Sequence, residues 1–227
     1  MLTRLNYLIY SHLRASPSGN NEYGTPWEVF NHWHGLFNFD LDVCAGPHNA
    51  KLPNFYDRTR DCLKTPWLKR NWMNPPYGKP EFPCKTVCTK KICVNRGHHN
   101  HVYVPGIGDF IKRAYEESLT GKLVVALIPS SRATEWWQRY IHNKADLVYD
   151  YPKRINFLID GKPVIGVAFD PCIVIWGLHP KAAYEVLASQ NIAQEYMLDL
   201  RHSADMFPDY RPQVVDSPPI QHASAND

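Results

Sequence analysis

Hydrophobic and polar positions alternate along this chain in patterns that predict specific elements. After a turn-rich stretch at 16–20, apolar residues recur at near-helical spacing from Trp27 to Phe37. Thr25 suits the cap of this helix and Pro26 its first position. From Phe37 to Cys44 apolar and polar residues alternate, which predicts a strand with one buried face.

The second half of the chain holds the stronger signals for buried elements. Leu123 to Pro129 is a continuous apolar run, which is typical of a strand covered on both faces. The other predicted elements are helices at Ile107–Leu119, Thr134–Asn143 and Lys181–Ser189, strands at Asn71–Met73, Leu147–Tyr151 and Cys172–Trp176, and a hairpin turning at Asp160-Gly161. This order predicts one α/β sheet, mostly parallel with an antiparallel edge hairpin.

Composition narrows the class of protein without identifying it. The chain has 227 residues, enough for one α/β domain with a real core. Its formal net charge of +3 permits nucleic-acid binding but does not argue for it. No stretch of about 18 apolar residues would span a membrane, and the short apolar run near the N-terminus lacks a signal-peptide cleavage site. We therefore expect a cytoplasmic protein, and no obligate protein partner is evident.

The segment Asn74-Pro75-Pro76-Tyr77 has the groups needed to methylate an exocyclic amine. The lone pair of such an amine is delocalised into the ring, so the nitrogen attacks poorly unless acceptors bind its N–H groups. The Asn74 side-chain carbonyl would supply one acceptor, and the Pro75 main-chain carbonyl, in a loop stiffened by two prolines, another. The Tyr77 ring would stack on the extruded base. The same residues also form ordinary surface turns, so the motif alone leaves both interpretations open.

Several further segments favour a role in amine methylation over an ordinary surface turn. In chain order they are TPWEVF, FDLDVCAGPHNAK, Asp61-Cys62-Leu63, WMNPPYG, VVALIPSSRATEWW and KRINF. With them, the chain resembles the bacteriophage-type family of DNA N6-adenine methyltransferases from about Thr25 to Trp176. The resemblance implies a Rossmann-like methyltransferase sheet of reduced size, S-adenosylmethionine as cofactor, double-stranded DNA as substrate, and a role in restriction-modification. From the turn-rich start and the proline-rich end of the chain we predict an N-terminal extension at 1–20, a methyltransferase domain at 21–200 and a loosely ordered tail at 201–227.

The resemblance extends to cofactor-binding residues outside the motif. Thr25 and Pro26 would hold the methionine end of the cofactor, although a helix start explains them equally well. Asp42 and Cys44 belong to the family's cofactor loop, where Asp42 would face the ammonium group. Asp61 would contact the adenosyl part. The glycine-rich loop that broader methyltransferases carry after this strand is reduced here to one glycine, and the linker to the catalytic motif is short.

Three basic residues are candidates for contact with the DNA backbone. Arg132 follows the predicted central strand on the side where ligands bind such sheets, near Trp136 and Trp137. Lys153 and Arg154 lie beside the predicted hairpin. A helix cap with two core tryptophans, or charge on a solvated edge, would give the same pattern.

A cysteine- and histidine-rich insert occupies residues 80–105. Its candidate metal ligands are Cys84, Cys88, Cys93 and either His98 or His99. Three thiolates and one imidazole make the ligand set of a closed structural zinc site. Zinc binding would supply folding energy to a segment with few large apolar residues. Some members of the resembling family share an Arg-Gly-x-His ending, which favours His99. Reduced cysteines in a flexible basic loop are the alternative.

Three other functions are compatible with parts of the same pattern. A cytosine-N4 DNA methyltransferase uses the same chemistry, and a protein glutamine-N5 methyltransferase also uses an Asn-Pro-Pro-Tyr loop. A zinc-containing nucleic-acid-binding module without enzymatic activity is the alternative from another class.

Overall fold

The computed structural model describes residues 23–85, 88–151, 154–163 and 169–178. The predicted N-terminal extension, the final helix, the C-terminal tail and Lys153 lie outside these residues, so the predicted domain boundaries stay predictions.

The centre of the molecule is a mixed five-stranded sheet. The strands of this sheet and of a smaller second sheet are, in chain order, β1 (Leu41–Asp42), β2 (Arg70–Met73), β3 (Leu123–Pro129), β4 (Leu147–Asp150), β5 (Leu158–Ile159), β6 (Lys162–Pro163) and β7 (Pro171–Trp176). The main sheet has the order β1-β2-β3-β7-β4. The first three are mutually parallel, and β7 runs antiparallel to both β3 and β4. Four strands therefore share one direction, which confirms the α/β class, but the sheet is mixed because the antiparallel strand β7 lies inside it.

The predicted hairpin forms, but it is not an edge of the main sheet. β5 and β6 make a separate two-stranded sheet. Asp160 and Gly161 both have positive φ, 49° and 76°, as a two-residue type I′ turn requires. Gly24 and Leu158 exchange two backbone hydrogen bonds of 2.7 and 2.8 Å. The hairpin therefore packs on the segment before the first helix, because that segment occupies its free edge.

Four helices lie among the described residues, and two of them differ from the predictions. They are α1 (Trp27–Phe37), α2 (Lys91–Arg96), α3 (Ile107–Ser118) and α4 (Glu135–Tyr140). Pro26, not Thr25, is the capping residue of α1. The helix continues to Phe37, and Asn38 ends it at φ 50°. The predicted strand from Phe37 to Cys44 is therefore reduced to β1, and α4 is also shorter than predicted.

Side chains of the central strand alternate between two hydrophobic clusters. Val124, Ala126 and Ile128 pack on the face covered by α3 and α4, whereas Val125 and Leu127 pack on the face covered by α1. No helix among the described residues is long and apolar enough to cross a bilayer. This three-layer packing leaves the carboxyl ends of β1 and β2 open beside the start of α1.

Candidate active site

The candidate site is a pocket where β1 and β2 end beside the N-terminus of α1. It encloses about 200 Å³, counting its open mouth. Ligands in open α/β sheets bind at such carboxyl ends. Four predicted site residues line it together: Thr25, Asp42, Cys44 and Asn74.

Hydrogen bonds fix the side-chain amide of Asn74. Its Nδ2 donates to the Tyr23 carbonyl at 2.6 Å and to the Thr25 hydroxyl at 3.1 Å. Its Oδ1 accepts a hydrogen bond of 2.6 Å from the Tyr77 hydroxyl. Because both amide protons are used, the carbonyl oxygen must face the Tyr77 side. The Thr25 hydroxyl, which caps no helix, thus orients the predicted catalytic amide.

The two prolines follow directly on β2. Pro75 is buried and Pro76 is half-buried. Within the described part of the chain, no group donates a hydrogen bond to the Pro75 carbonyl. The second predicted acceptor is therefore not used by any hydrogen bond of the described residues.

The Tyr77 ring lies within an aromatic cluster. It stacks against Tyr23 with ring centroids 6.0 Å apart, and the edges of Phe157 and Phe169 meet it at 6.1 and 5.2 Å. Its hydroxyl also lies 3.1 Å from the Leu127 carbonyl. Burial raises the pKa of Tyr77 well above its usual value, so the phenol stays protonated and remains a hydrogen-bond donor.

Asp42 is a buried carboxylate without an ion-pair partner among the described residues. It is 3% exposed, and its Oδ2 accepts a hydrogen bond of 3.0 Å from the Lys51 backbone N–H. Burial raises its pKa to about 6, although hydrogen bonds from the Lys51 and Cys44 backbone oppose this. The Lys51 ammonium instead lies 4.2 Å from the centre of the Trp27 ring. The Lys51 charge also lowers the Asp42 pKa, but the two side chains form no ion pair among the described residues.

Cys44 and Asp61 occupy different surroundings. Burial raises the pKa of the Cys44 thiol, whose sulfur lies 3.8 Å from that of Cys62. Asp61 caps a turn: it accepts a hydrogen bond of 3.0 Å from the Leu63 N–H and forms an exposed ion pair with Lys64 at 3.1 Å. Asp61 therefore does not line the pocket with the other predicted cofactor residues.

Sequence reasoning missed five residues of the pocket wall. They are Gly24, Ala45, Asn49, Lys51 and Trp72. Ala45, Asn49 and Lys51 belong to the segment FDLDVCAGPHNAK, so the resemblance to the family could have indicated them. Gly24 carries no comparable signal, because its role depends on the distant hairpin.

Of the predicted DNA-binding residues, Arg132 and Arg154 do not line the pocket. Arg132 forms an ion pair with Asp150 at the end of β4. Trp137 is 3% exposed and belongs to the core, as expected if this segment is a helix start with core tryptophans and not a DNA contact. Arg154 is exposed, and Lys153 lies outside the described residues.

The insert brings its four candidate ligands together. The ligand atoms of Cys84, Cys88, Cys93 and His99 all lie within 4.8 Å of one another. Sulfur–sulfur distances of 3.3 Å (Cys84 to Cys93) and 3.6 Å (Cys88 to Cys93) approach the roughly 3.8 Å of a tetrahedral zinc site. Hydrogen bonds, chiefly from Cys93, lower the pKa of Cys84 to about 6, which favours the thiolate that zinc requires.

Comparison with known proteins identifies the family. The family of DNA N-6-adenine-methyltransferases (Dam) matches residues 14–177. The chain belongs to the Dam family. A DNA N-6-adenine-methyltransferase of Haemophilus phage HP1 (strain HP1c1) is 30% identical over 193 residues, which cover 79% of this chain and 91% of the relative. A protein of the same name from Escherichia phage T1 is 25% identical over 130 residues, 56% of this chain and 43% of the relative.

Membership of the Dam family confirms the predicted activity. The chain is an adenine-N6 DNA methyltransferase, and the family implies S-adenosylmethionine as the methyl donor. The cytosine, glutamine and non-enzymatic alternatives receive no support from these relatives.

Proposed function

We propose that this Dam-family methyltransferase binds the methionine end of S-adenosylmethionine beside Asp42 and the amine of the target adenine at Asn74. The observation that carries the proposal is the position of the Asn74 amide. It borders the pocket and is bonded through nitrogen to the segment before α1, so its oxygen is held in one orientation. One side chain thus links the two binding sites.

The properties of the pocket fit the methionine end of the cofactor. The ammonium group of S-adenosylmethionine needs an anion, and Asp42 is a buried carboxylate without an ion-pair partner among the described residues. The space of about 200 Å³ includes open solvent at the pocket mouth, so the enclosed part is small. The pocket would therefore enclose one end of the cofactor and leave the rest on the open side. S-adenosylmethionine supplies an activated methyl group on a sulfonium sulfur.

The acceptors around Asn74 suit an aromatic amine. An amide oxygen has two lone pairs, so Oδ1 can accept an adenine N–H while it keeps the hydrogen bond from Tyr77. The Tyr77 hydroxyl can alternatively donate to the Leu127 carbonyl and leave Oδ1 to the substrate. The Pro75 carbonyl would accept the second N–H, so the nitrogen lone pair would be released from the ring. Stacking of the extruded base on Tyr77 would replace part of the contact with Tyr23.

The fold supports a Rossmann-like methyltransferase sheet reduced to five strands. Four strands run in one direction, and the candidate site lies at the carboxyl ends of two of them. Double-stranded DNA is the proposed substrate, which the enzyme would meet in the host cytoplasm.

We further propose that the insert binds one structural zinc ion through Cys84, Cys88, Cys93 and His99. The sulfur spacing supports three sulfur ligands, and the lowered pKa of Cys84 favours the thiolate at that position. A closed set of four protein ligands leaves no position for substrate, so the ion would stabilise the insert and take no part in methyl transfer.

Replacement of Asn74 tests the site. We expect Asn74→Ala to lower kcat by about 10²–10³-fold, because the substitution removes a hydrogen-bond acceptor that stabilises the transition state. The assay is transfer of radiolabelled methyl groups to DNA. Asn54→Ala is the matched control, because Asn54 is exposed and its side chain bonds only the Asp40 carbonyl at 3.3 Å. Unchanged kcat in Asn74→Ala would refute the proposed role.

A further inference from the structure

Two large aromatic side chains are exposed side by side on the insert. Phe82 is 65% exposed and Tyr103 is 41% exposed, with ring centroids 5.3 Å apart. A backbone bridge between Glu81 and Val104 makes them direct cross-strand neighbours on one face. The Tyr103 hydroxyl donates to Asp109 Oδ2 at 2.7 Å, which fixes the direction of its ring. The two rings therefore form one exposed aromatic patch in which the orientation of Tyr103 is fixed.

This aromatic pair is attached directly to the catalytic loop. The Ile107 N–H donates to the Gly78 carbonyl at 2.9 Å. Gly106 packs so closely on Pro80 that a Cβ there would lie 2.3 Å from the Pro80 nitrogen. Both chain segments at the base of the insert therefore meet just after Tyr77. Phe82 follows Tyr77 by five positions, a span of at most about 18 Å, or roughly five base-pair steps of duplex DNA.

The charge around the pair suits an anionic partner. The insert and its base carry five basic residues and one acidic residue, Glu81: the basic ones are Lys79, Lys85, Lys90, Lys91 and Arg96. The four lysines are exposed. Zinc bound to three thiolates would lower the net charge of the insert by only one unit.

We propose that Phe82 and Tyr103 form a second DNA-contacting surface, which meets the bases beside the extruded adenine while the surrounding lysines contact phosphates. The inference rests on the proposed function and names the part of the DNA that the insert contacts. Extrusion of the adenine exposes the faces of the neighbouring bases, and a flat ring can stack on any of them, so this surface would hold the duplex near the reacting adenine without reading its sequence.

Single substitutions at Phe82 test this surface. The probe is a fluorescein-labelled duplex of about 24 base pairs, and binding is followed by fluorescence anisotropy. We expect Phe82→Ala to weaken binding about fivefold or more, since stacking on one base contributes at least that factor. Phe82→Trp should restore binding. Leu119→Ala is the matched control, because Leu119 is 68% exposed on another part of the surface.

Binding of S-adenosylmethionine, measured by calorimetry, separates this proposal from the proposed function. The expected result is that Phe82→Ala binds the cofactor as the parent does and has lost only DNA affinity. Unchanged DNA affinity in Phe82→Ala would overturn the inference, and so would an equal loss in Leu119→Ala or a parallel loss of cofactor binding. A parent protein that binds neither cofactor nor DNA would instead contradict the proposed function.

Discussion

At the scale of single residues, Asp42 shows a conflict between folding and binding. Its pKa is raised from 3.8 to about 6 by burial, so the folded protein binds this proton more tightly than the unfolded chain. The contribution of Asp42 to the free energy of unfolding therefore falls as pH rises from about 4 to about 6, and it is constant above that range. Above about pH 6 the Asp42 carboxylate is charged. The buried charge lowers the free energy of unfolding, but it can bind a cationic ligand.

We predict that Asp42→Asn raises the free energy of unfolding at about pH 8 by up to about 3 kcal/mol and weakens cofactor binding. In the parent protein, cofactor affinity should fall as pH drops below about 6, whereas the variant should lose this dependence. Denaturant unfolding and calorimetry across this pH range measure both effects. Asp57→Asn is the control, because Asp57 lies in an exposed turn with a lowered pKa. Equal cofactor affinity of parent and Asp42→Asn at about pH 8 would contradict the role of this carboxylate.

The sequence could predict some residues of the pocket and not others. Asp42 belongs to β1 and Asn74 follows β2, and parallel neighbours end at the same edge. Their meeting follows from that topology. Lys51 reaches the pocket only because its loop folds back onto the Asp42 carboxylate. A loop that folds back in this way has no regular spacing of hydrophobic residues, so helix and strand patterns cannot predict it.

At the scale of elements, the success of prediction depended on burial. The bounds of β3 are those predicted, because a strand covered on both faces is apolar throughout. The stretch from Phe37 to Cys44 was wrongly predicted to be one strand. Phe37 is the last residue of α1 and Phe39 follows the helix end, and because both are buried their spacing resembles the alternation of a strand. The insertion of β7 between β3 and β4 is a long-range pairing, which no local pattern contains.

Gly106 is the element-scale contact that joins the insert to the catalytic loop. We predict that Gly106→Ala lowers the free energy of unfolding by about 1–3 kcal/mol and reduces kcat, because the new methyl group would displace the backbone at Pro80. Gly35→Ala is the matched control: it lies within α1 with open space around it, so it should stabilise by about 0.5–1 kcal/mol. Denaturant unfolding and the methyl-transfer assay measure the two effects. Wild-type kcat in a folded Gly106→Ala would show that the insert does not support the loop.

At the scale of the whole molecule, two parts depend on different sources of stability. The sheet is held by two large hydrophobic clusters and needs no metal. Among the described side chains of the insert, Cys93 and the polar Asn100 are the buried ones, so the insert has little apolar core of its own. Its order would therefore come from the ligand set, together with backbone hydrogen bonds such as that from the Cys84 N–H to the Asn100 carbonyl at 2.7 Å.

This division predicts what removal of zinc should do. The purified protein should contain about one zinc ion per chain by elemental analysis, and Cys88→Ser should lose it, whereas Cys172→Ala, which alters a buried cysteine of β7, should keep it.

On chelation, hydrogen exchange should accelerate at the amides between Cys84 and Asn100 and stay slow in β3, because only the insert relies on the ion. Cofactor binding should persist, since no zinc ligand lines the pocket. A metal-free protein with a protected insert would show instead that the cysteines pack without zinc, and exchange throughout the sheet after chelation would show that the two parts fold as one.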